Sequence, residues 1–374
     1  MRHVNTGTVL ASALLASLVI SSPAQAIQFS YLSPAYVQEI YAGPLIAGGE
    51  AGMAWNSSNN LLTRNGSSII EYSLIQNTVH QGTPLHGVIA THNVAGLNNS
   101  GYGMTNGTDG YIYAITGGGL QRFDPGNWGA SAQSLAFVGG PGYGITTLSD
   151  GRIAYAAGSG SDIYVYDPVS LTNSLIYTAN TLIDDMAASS ANEIVLAGQG
   201  NSSLIIIDSA GSWINTLSNL IHFPDGLTFG DGLLSTSIFA NNNDGTITEY
   251  VFGSGFGSAP TLITDIATGG GAYGDLAQVG PDCAFYVYHA ENGNYHGATP
   301  GVGTNWDNGV TNNEAAITRI AGTARPDGSP ATCGFRTPVI TNVVPVPGAW
   351  WLMGSGLAIL PGLRRKGLAR GRAG

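Results

Sequence analysis

Five carboxylates stand at matched places in this sequence. Glu50, Asp184, Asp185, Asp225 and Asp275 each lie at, or within two residues of, a recurring tripeptide: Gly or Asp, then an aliphatic residue, then Ala or Thr. Carboxylates brought together from separate segments make an oxygen-rich site, which suits Ca²⁺ or another divalent cation. The same donors suit a catalytic metal that activates water. The competing use of such an Asp is local, closing a turn or strand end through hydrogen bonds to nearby backbone.

A second set of residues is aromatic. From His289 to Glu314 runs an Asn- and Gly-rich insertion carrying Tyr295, His296 and Trp306. Long loops on a rigid scaffold bind ligands, and aromatic faces beside amides suit sugars. The insertion also lies between the two cysteines, so it reads equally as an excursion held by a bridge. Asn241-Asn242-Asn243-Asp244-Gly245 has the composition of a calcium loop, but Glu249 follows too closely for EF-hand spacing, so the segment reads as a turn. There is no Gly-x-Ser-x-Gly elbow, Walker loop or His-Glu-x-x-His helix. The seven histidines, among them His80, His86, His92 and His222, show no metal-ligand spacing.

The elements that must position these residues come from a repeat. The tripeptide begins at Gly52, Gly103, Gly144, Asp185, Gly226 and Asp275, at spacings of 51, 41, 41, 41 and 49 residues. A turn follows each one: Asn59-Asn60, Asp109-Gly110, Asp150-Gly151, Ala191-Asn192, Asp231-Gly232 and Pro281-Asp282. Asp-Gly and Asn supply the positive φ that a tight hairpin needs. Second strands follow at Tyr111-Ile112-Tyr113, Ile153-Ala154-Tyr155 and Ile194-Val195-Leu196, and third strands at 69–72, 120–124, 163–167, 204–208, 247–250 and 317–320. Fourth strands read at 135–137, 175–177, 214–217 and 262–263. Four short antiparallel strands in about 41 residues is the size of one propeller blade. Six repeats therefore predict an all-β, six-bladed β-propeller. The last repeat lacks a fourth strand, and Val37 to Tyr41 is left over near the N-terminus, so that segment is expected to complete blade 6 and close the ring. A parallel β-helix is the competing architecture, but its repeats are shorter and carry no hairpin signals.

The two ends of the chain read as export signals. Residues 1–26 have a basic start, an apolar stretch from Val9 to Ile20 and Ala24-Gln25-Ala26 as a cleavage site, the pattern of a signal peptide. Residues 27–338 are the propeller, and 339–347 a linker containing Val344-Pro345-Val346-Pro347. Residues 348–374 hold an apolar transmembrane helix to Leu363, then Arg364, Arg365, Lys366, Arg370 and Arg372. Basic residues after the helix stay cytoplasmic and leave the body outside the membrane.

Residues 27–347 hold six of the 12 Lys+Arg and all 23 Asp+Glu, a net charge of −17. Such a body repels nucleic acid and anionic lipid, so nucleic acid is excluded as a partner. Only 9% of residues are charged and 55 are Gly, but 43% are hydrophobic, enough to build a core. Cys283 and Cys333, both in the exported part, are expected to form a disulfide.

The tail resembles the PEP-CTERM class of bacterial sorting signals in its Val-Pro-Leu-Pro variant, through Val344, Pro345, Pro347, Trp351, Leu352, Gly354, Ser355, Gly356 and Arg364-Arg365. That resemblance implies processing by signal peptidase and an exosortase-type transpeptidase, and a destination in the cell envelope or outside the cell. The body resembles the NHL-like and gluconolactonase-like propellers, best over Gly144-Ile145-Thr146, Asp150-Gly151-Arg152-Ile153 and Ile163 to Pro168. Glu50-Ala51-Gly52 and Pro224-Asp225-Gly226-Leu227 are similar to ligand segments of the gluconolactonase-like group, whose Asn ligands find no match here. The expectation is a non-enzymatic surface or matrix propeller that binds polysaccharide or a surface protein. The alternative is a metal-dependent hydrolase or lyase of the gluconolactonase-like kind.

Overall fold

The chain forms two compact units, Met1–Pro338 and Val339–Gly374. The computed structural model describes residues 29–46, 52–80, 83–98, 103–136, 138, 142–158, 160–230, 235–270, 273–290 and 314–322, all in the first unit. The segments read from sequence as a signal peptide, as a linker with Val344, Pro345, Val346 and Pro347, and as a transmembrane helix lie outside them. No helix among the described residues is long and apolar enough to cross a membrane.

Short alternating runs punctuated by residues that tolerate positive φ fold here, beside one separate two-stranded hairpin, as six antiparallel blade sheets. Their innermost strands are Met53–Trp55, Met104–Asn106, Ile145–Thr147, Ile183–Ala188, Pro224–Phe229 and Tyr273–Val279. Each touches the next, and the last touches the first, so they ring a central channel. The fold is the expected six-bladed propeller.

The recurring tripeptide has a packing cause. Its aliphatic residue (Met53, Met104, Ile145, Met186, Leu227 or Leu276) is buried in every blade. Its leading Gly sits where adjacent inner strands nearly touch: a Cβ at Gly144 would lie 2.9 Å from the backbone carbonyl carbon of Asp185, and one at Gly103 only 2.1 Å from the carbonyl oxygen of Tyr143. Between successive blades lie six apolar clusters, each drawing its residues from two neighbours. No blade could bury these faces alone, so closure stabilises the whole ring.

Closure is by the predicted N-terminal strand. Tyr36–Ile46 pairs with Glu314–Gly322 of blade 6, with Val37 opposite Ala321 and Ile40 opposite Thr318. Glu39 on this strand receives His86 Nε2 at 2.9 Å and Arg319 at 3.6 Å, and Tyr41 stacks on His86 at 3.8 Å. These contacts fasten the clasp to blade 1 as well as blade 6. Chiefly the His86 hydrogen bond holds the Glu39 carboxyl below the usual range.

Three features depart from the sequence reading. Tyr31–Leu32 adds a fifth strand to blade 5. A hairpin of Thr78–His80 and Thr83–Leu85 interrupts blade 1 before its outer strand, Val88–Asn93. The blade 6 insertion is shorter than expected, because His289 still belongs to the strand Phe285–Ala290 and Glu314 to the next.

Candidate functional site

The two ends of the channel are chemically unlike. One end is where the inner strands begin. There the ladders of blades 4, 5 and 6 break in register between Ile183 and Met186, Pro224 and Gly226, and Gly274 and Ala277. A β-bulge re-aims side chains and leaves the extra residues out of the ladder. The residues in these three bulges include Asp184, Asp185, Asp225 and Asp275. Asp184 and Asp185 are each 4% exposed and Asp225 is 7% exposed.

Asp185 reaches across the ring. Its Oδ2 accepts from the backbone N–H of Leu227 at 2.9 Å in blade 5 and of Ala277 at 3.4 Å in blade 6. Carboxylates that accept backbone N–H bonds are charge-assisted cross-links, and this one joins three blades. The bulges thus explain why Asp, rather than Gly, leads the tripeptide in blade 4.

Amides and an imidazole lie at the same end. Asn241 and Asn242 finish the second strand of blade 5, both fully buried. Asn241 Nδ2 donates to the Tyr288 carbonyl at 3.1 Å, and Asn242 Nδ2 donates to the hydroxyls of Thr246 and Thr248 at 2.9 Å each. The 241–245 segment is a turn, as read from sequence, with Gly245 at φ +76°. His222 packs over it, 2.5 Å from Asp244 and 3.3 Å from Asp265. His289, the matching position in blade 6, is fully buried, and burial lowers its pKa to about 3. Neither ring nitrogen finds a hydrogen-bond partner among the described residues, and Phe29 meets the ring edge-on at 4.7 Å. The sequence offered no periodic signal for His289, which stood at the edge of a loop.

The other end of the channel is where the inner strands turn back. Among the described residues, five blades share one turn, with the left-handed position held by Asn59, Gly110, Gly151, Asn192 and Cys283. In each, the N–H of that residue donates to the carbonyl three residues earlier. Two adjoining cavities, about 270 and 440 Å³, open here and share Thr146, Thr147, Ser149, Gln278 and Val279. Hydrogen bonds between blades frame them. The Asn106 side chain accepts from Trp55 N–H at 2.8 Å and donates to the Trp55 carbonyl at 2.5 Å. Thr147 donates to the Asn106 carbonyl at 2.7 Å, and the Thr105 and Thr147 hydroxyls lie 3.1 Å apart. The Gln278 amide, oriented to satisfy its neighbours, donates to the carbonyls of Met53 and Met104 and accepts from Thr105.

No protein-family model matches the chain, and no curated protein matches it by sequence. Solved structures do match in shape. The PQQ-bound aldose sugar dehydrogenase of Streptomyces coelicolor aligns with a TM-score of 0.50 at 12% identity, over 77% of this chain and 99% of that one. An oxidoreductase (glucose dehydrogenase) from Thermus thermophilus aligns with a TM-score of 0.53 at 13% identity, over 76% and 99%. The likeness is one of fold.

Within this propeller the predicted site residues fall into three groups. Asp185 and Asp225 lie in the bulges where the inner strands of blades 4 and 5 begin, with Asp184 beside Asp185. The backbone of Asp275 takes its place in the inner strand of blade 6, while its side chain and Glu50 lie outside the described residues. Tyr295, His296, Trp306 and Cys333 also lie outside. The described donors alone do not make a divalent-cation site. Asp185 Oδ2 is occupied by two N–H groups, and no three His, Cys, Asp or Glu groups among the described residues are placed to hold an ion.

The expected disulfide is a correction. Cys283 is a buried thiol, not half of a bridge. It takes the left-handed turn position (φ +66°) that Gly110 and Gly151 hold in other blades, and it is 5% exposed. Its place is set by turn geometry and packing, which spacing between cysteines does not report.

Proposed function

We propose that this chain is an exported envelope or matrix propeller whose work is binding, not turnover. The observation that carries this reading is the uncharged, rigidly framed cavity at the turn end of the channel, built from hydroxyls and amides of several blades. Such walls offer hydrogen bonds, and their described residues include no Asp, Glu, His or Lys to serve as general acid or base. The signal-peptide pattern and the PEP-CTERM-like tail support export, passage through signal peptidase and an exosortase-type enzyme, and temporary membrane anchorage by the C-terminal helix. Intact-mass analysis of the envelope-associated protein from its native host tests this. A chain cut near Pro345-Val346-Pro347 is expected, and full-length protein through Gly374 would leave only a permanent anchor.

A second reading is favoured by the three bulges that carry Asp184, Asp185, Asp225 and Asp275. It is a metal-dependent hydrolase or lyase acting at the opposite end of the channel. Elemental analysis of purified protein separates the two. One tightly held divalent ion per chain, lost together with its thermal stabilisation in Asp225→Asn, would favour the enzyme. Protein that carries no metal and gains no stability from added Ca²⁺ would favour the binder.

A further inference from the structure

We propose that the turn-end mouth of the channel is a binding site for one or two residues of a neutral sugar. This deepens the binding reading and rests on it. Among the described residues that line the two cavities, none is Asp, Glu, Lys, Arg or His. That is unexpected on a body of net charge −17, and described carboxylates on the neighbouring turns have other partners. Asp109 pairs with Arg122, Asp150 with Arg152 and Asp282 with Arg319. A neutral wall inside an acidic protein excludes anionic ligands by the surrounding field and gives a cation no counter-charge.

The wall has polar groups to offer. The side chains of Asn59, Thr108, Thr146 and Ser190 line the cavities and make no hydrogen bond among the described residues. Thr105, Asn106, Thr147 and Gln278, by contrast, are bonded to one another or across blades, so the free groups stand on a fixed frame. Ala188 and Val279, both partly exposed, supply apolar surface in the same space. Donors and acceptors carried on that frame, with apolar surface beside them, match the hydroxyls and C–H faces of a pyranose. Volumes of about 270 and 440 Å³ admit small ligands or the end of a chain.

The test titrates full-length protein, held in a zwitterionic detergent free of sugar headgroups. The probes are neutral gluco-, galacto- and manno-saccharides from one to six units, with galacturonate as the charged control. Binding is followed by calorimetry and saturation-transfer NMR. At least one neutral sugar should bind saturably, and galacturonate about tenfold or more weaker. Equal affinity for the monomer and the longer chains would identify a free sugar as the ligand, and affinity rising with length a polysaccharide end. Thr146→Val keeps the side-chain shape, and Asn59→Gly keeps the left-handed turn at φ +61°. Each should weaken binding about tenfold without shifting the melting temperature. Binding that survives both substitutions would overturn the site while leaving the binding reading intact. Preference for galacturonate, or no neutral sugar bound at tens of millimolar, would overturn the inference and leave a protein partner as the ligand of the binding reading.

Discussion

The two ends of one channel are built differently. Where the inner strands begin, blades 4 to 6 bulge and bury carboxylates, amides and an imidazole. Where they turn back, the described lining is neutral, and three of its hydroxyls and one amide have no hydrogen-bond partner among the described residues. The lesson concerns which polar groups are structural. At the carboxylate end Asp185 is a tie between blades, and its removal should be felt by the whole ring. At the turn end the groups without partners carry no structural load, and their removal should be felt only by a ligand.

The largest effect is therefore expected from Asp185→Ala. It would leave two buried N–H groups, of Leu227 and Ala277, without their acceptor. A loss of about 3 to 5 kcal/mol is expected in denaturant unfolding. Asp185→Asn keeps an acceptor and should cost less. A loss under about 1 kcal/mol for the Ala variant would show that the carboxylate is held for ligand chemistry after all.

His289 gives the next effect, and it depends on pH. Its folded pKa, about 3, lies below the ordinary 6.5, so between those values the unfolded chain binds a proton that the folded chain does not. Stability is complete above pH 6.5 and falls as the pH drops towards 3. Taking the protein from pH 7 to pH 5 should cost about 2 kcal/mol through this residue alone. In His289→Phe that part of the acid sensitivity should disappear, as measured by urea unfolding at both pH values. An unchanged pH profile would mean that the imidazole binds its proton equally well in the folded and the unfolded chain.

Cys283→Gly should raise stability by up to about 1 kcal/mol, since the position is left-handed and glycine adopts that conformation without strain. Thermal unfolding under reducing conditions checks the sign. A clear loss would show that thiol packing outweighs the backbone. The smallest effect belongs to Thr146→Val, within about 0.5 kcal/mol in unfolding. A larger loss would make the turn-end hydroxyls structural and erase the contrast between the two ends.

Much of this was legible in the chain because it is local. Blade number, the order of strands and the places of the turns follow from alternation over a few residues and from Asn or Gly at left-handed positions. The N-terminal clasp followed too, since six tripeptides with one missing outer strand leave a single segment to complete the ring. The matched spacing of Asp185, Asp225 and Asp275 also pointed to one end of the channel. Tertiary structure alone decided what those carboxylates do. Asp185 finds its acceptor role 42 and 92 residues away, across bulges that no periodicity announces. His289 became a buried neutral ring because Phe29, far off in sequence, closes over it. The neutral mouth was invisible for a similar reason. Asn59, Thr108, Thr146 and Ser190 are ordinary polar residues one at a time, and only the curvature of the ring sets them around one space. Local sequence determines elements, whereas the chemistry of a channel depends on which elements the closed ring makes neighbours.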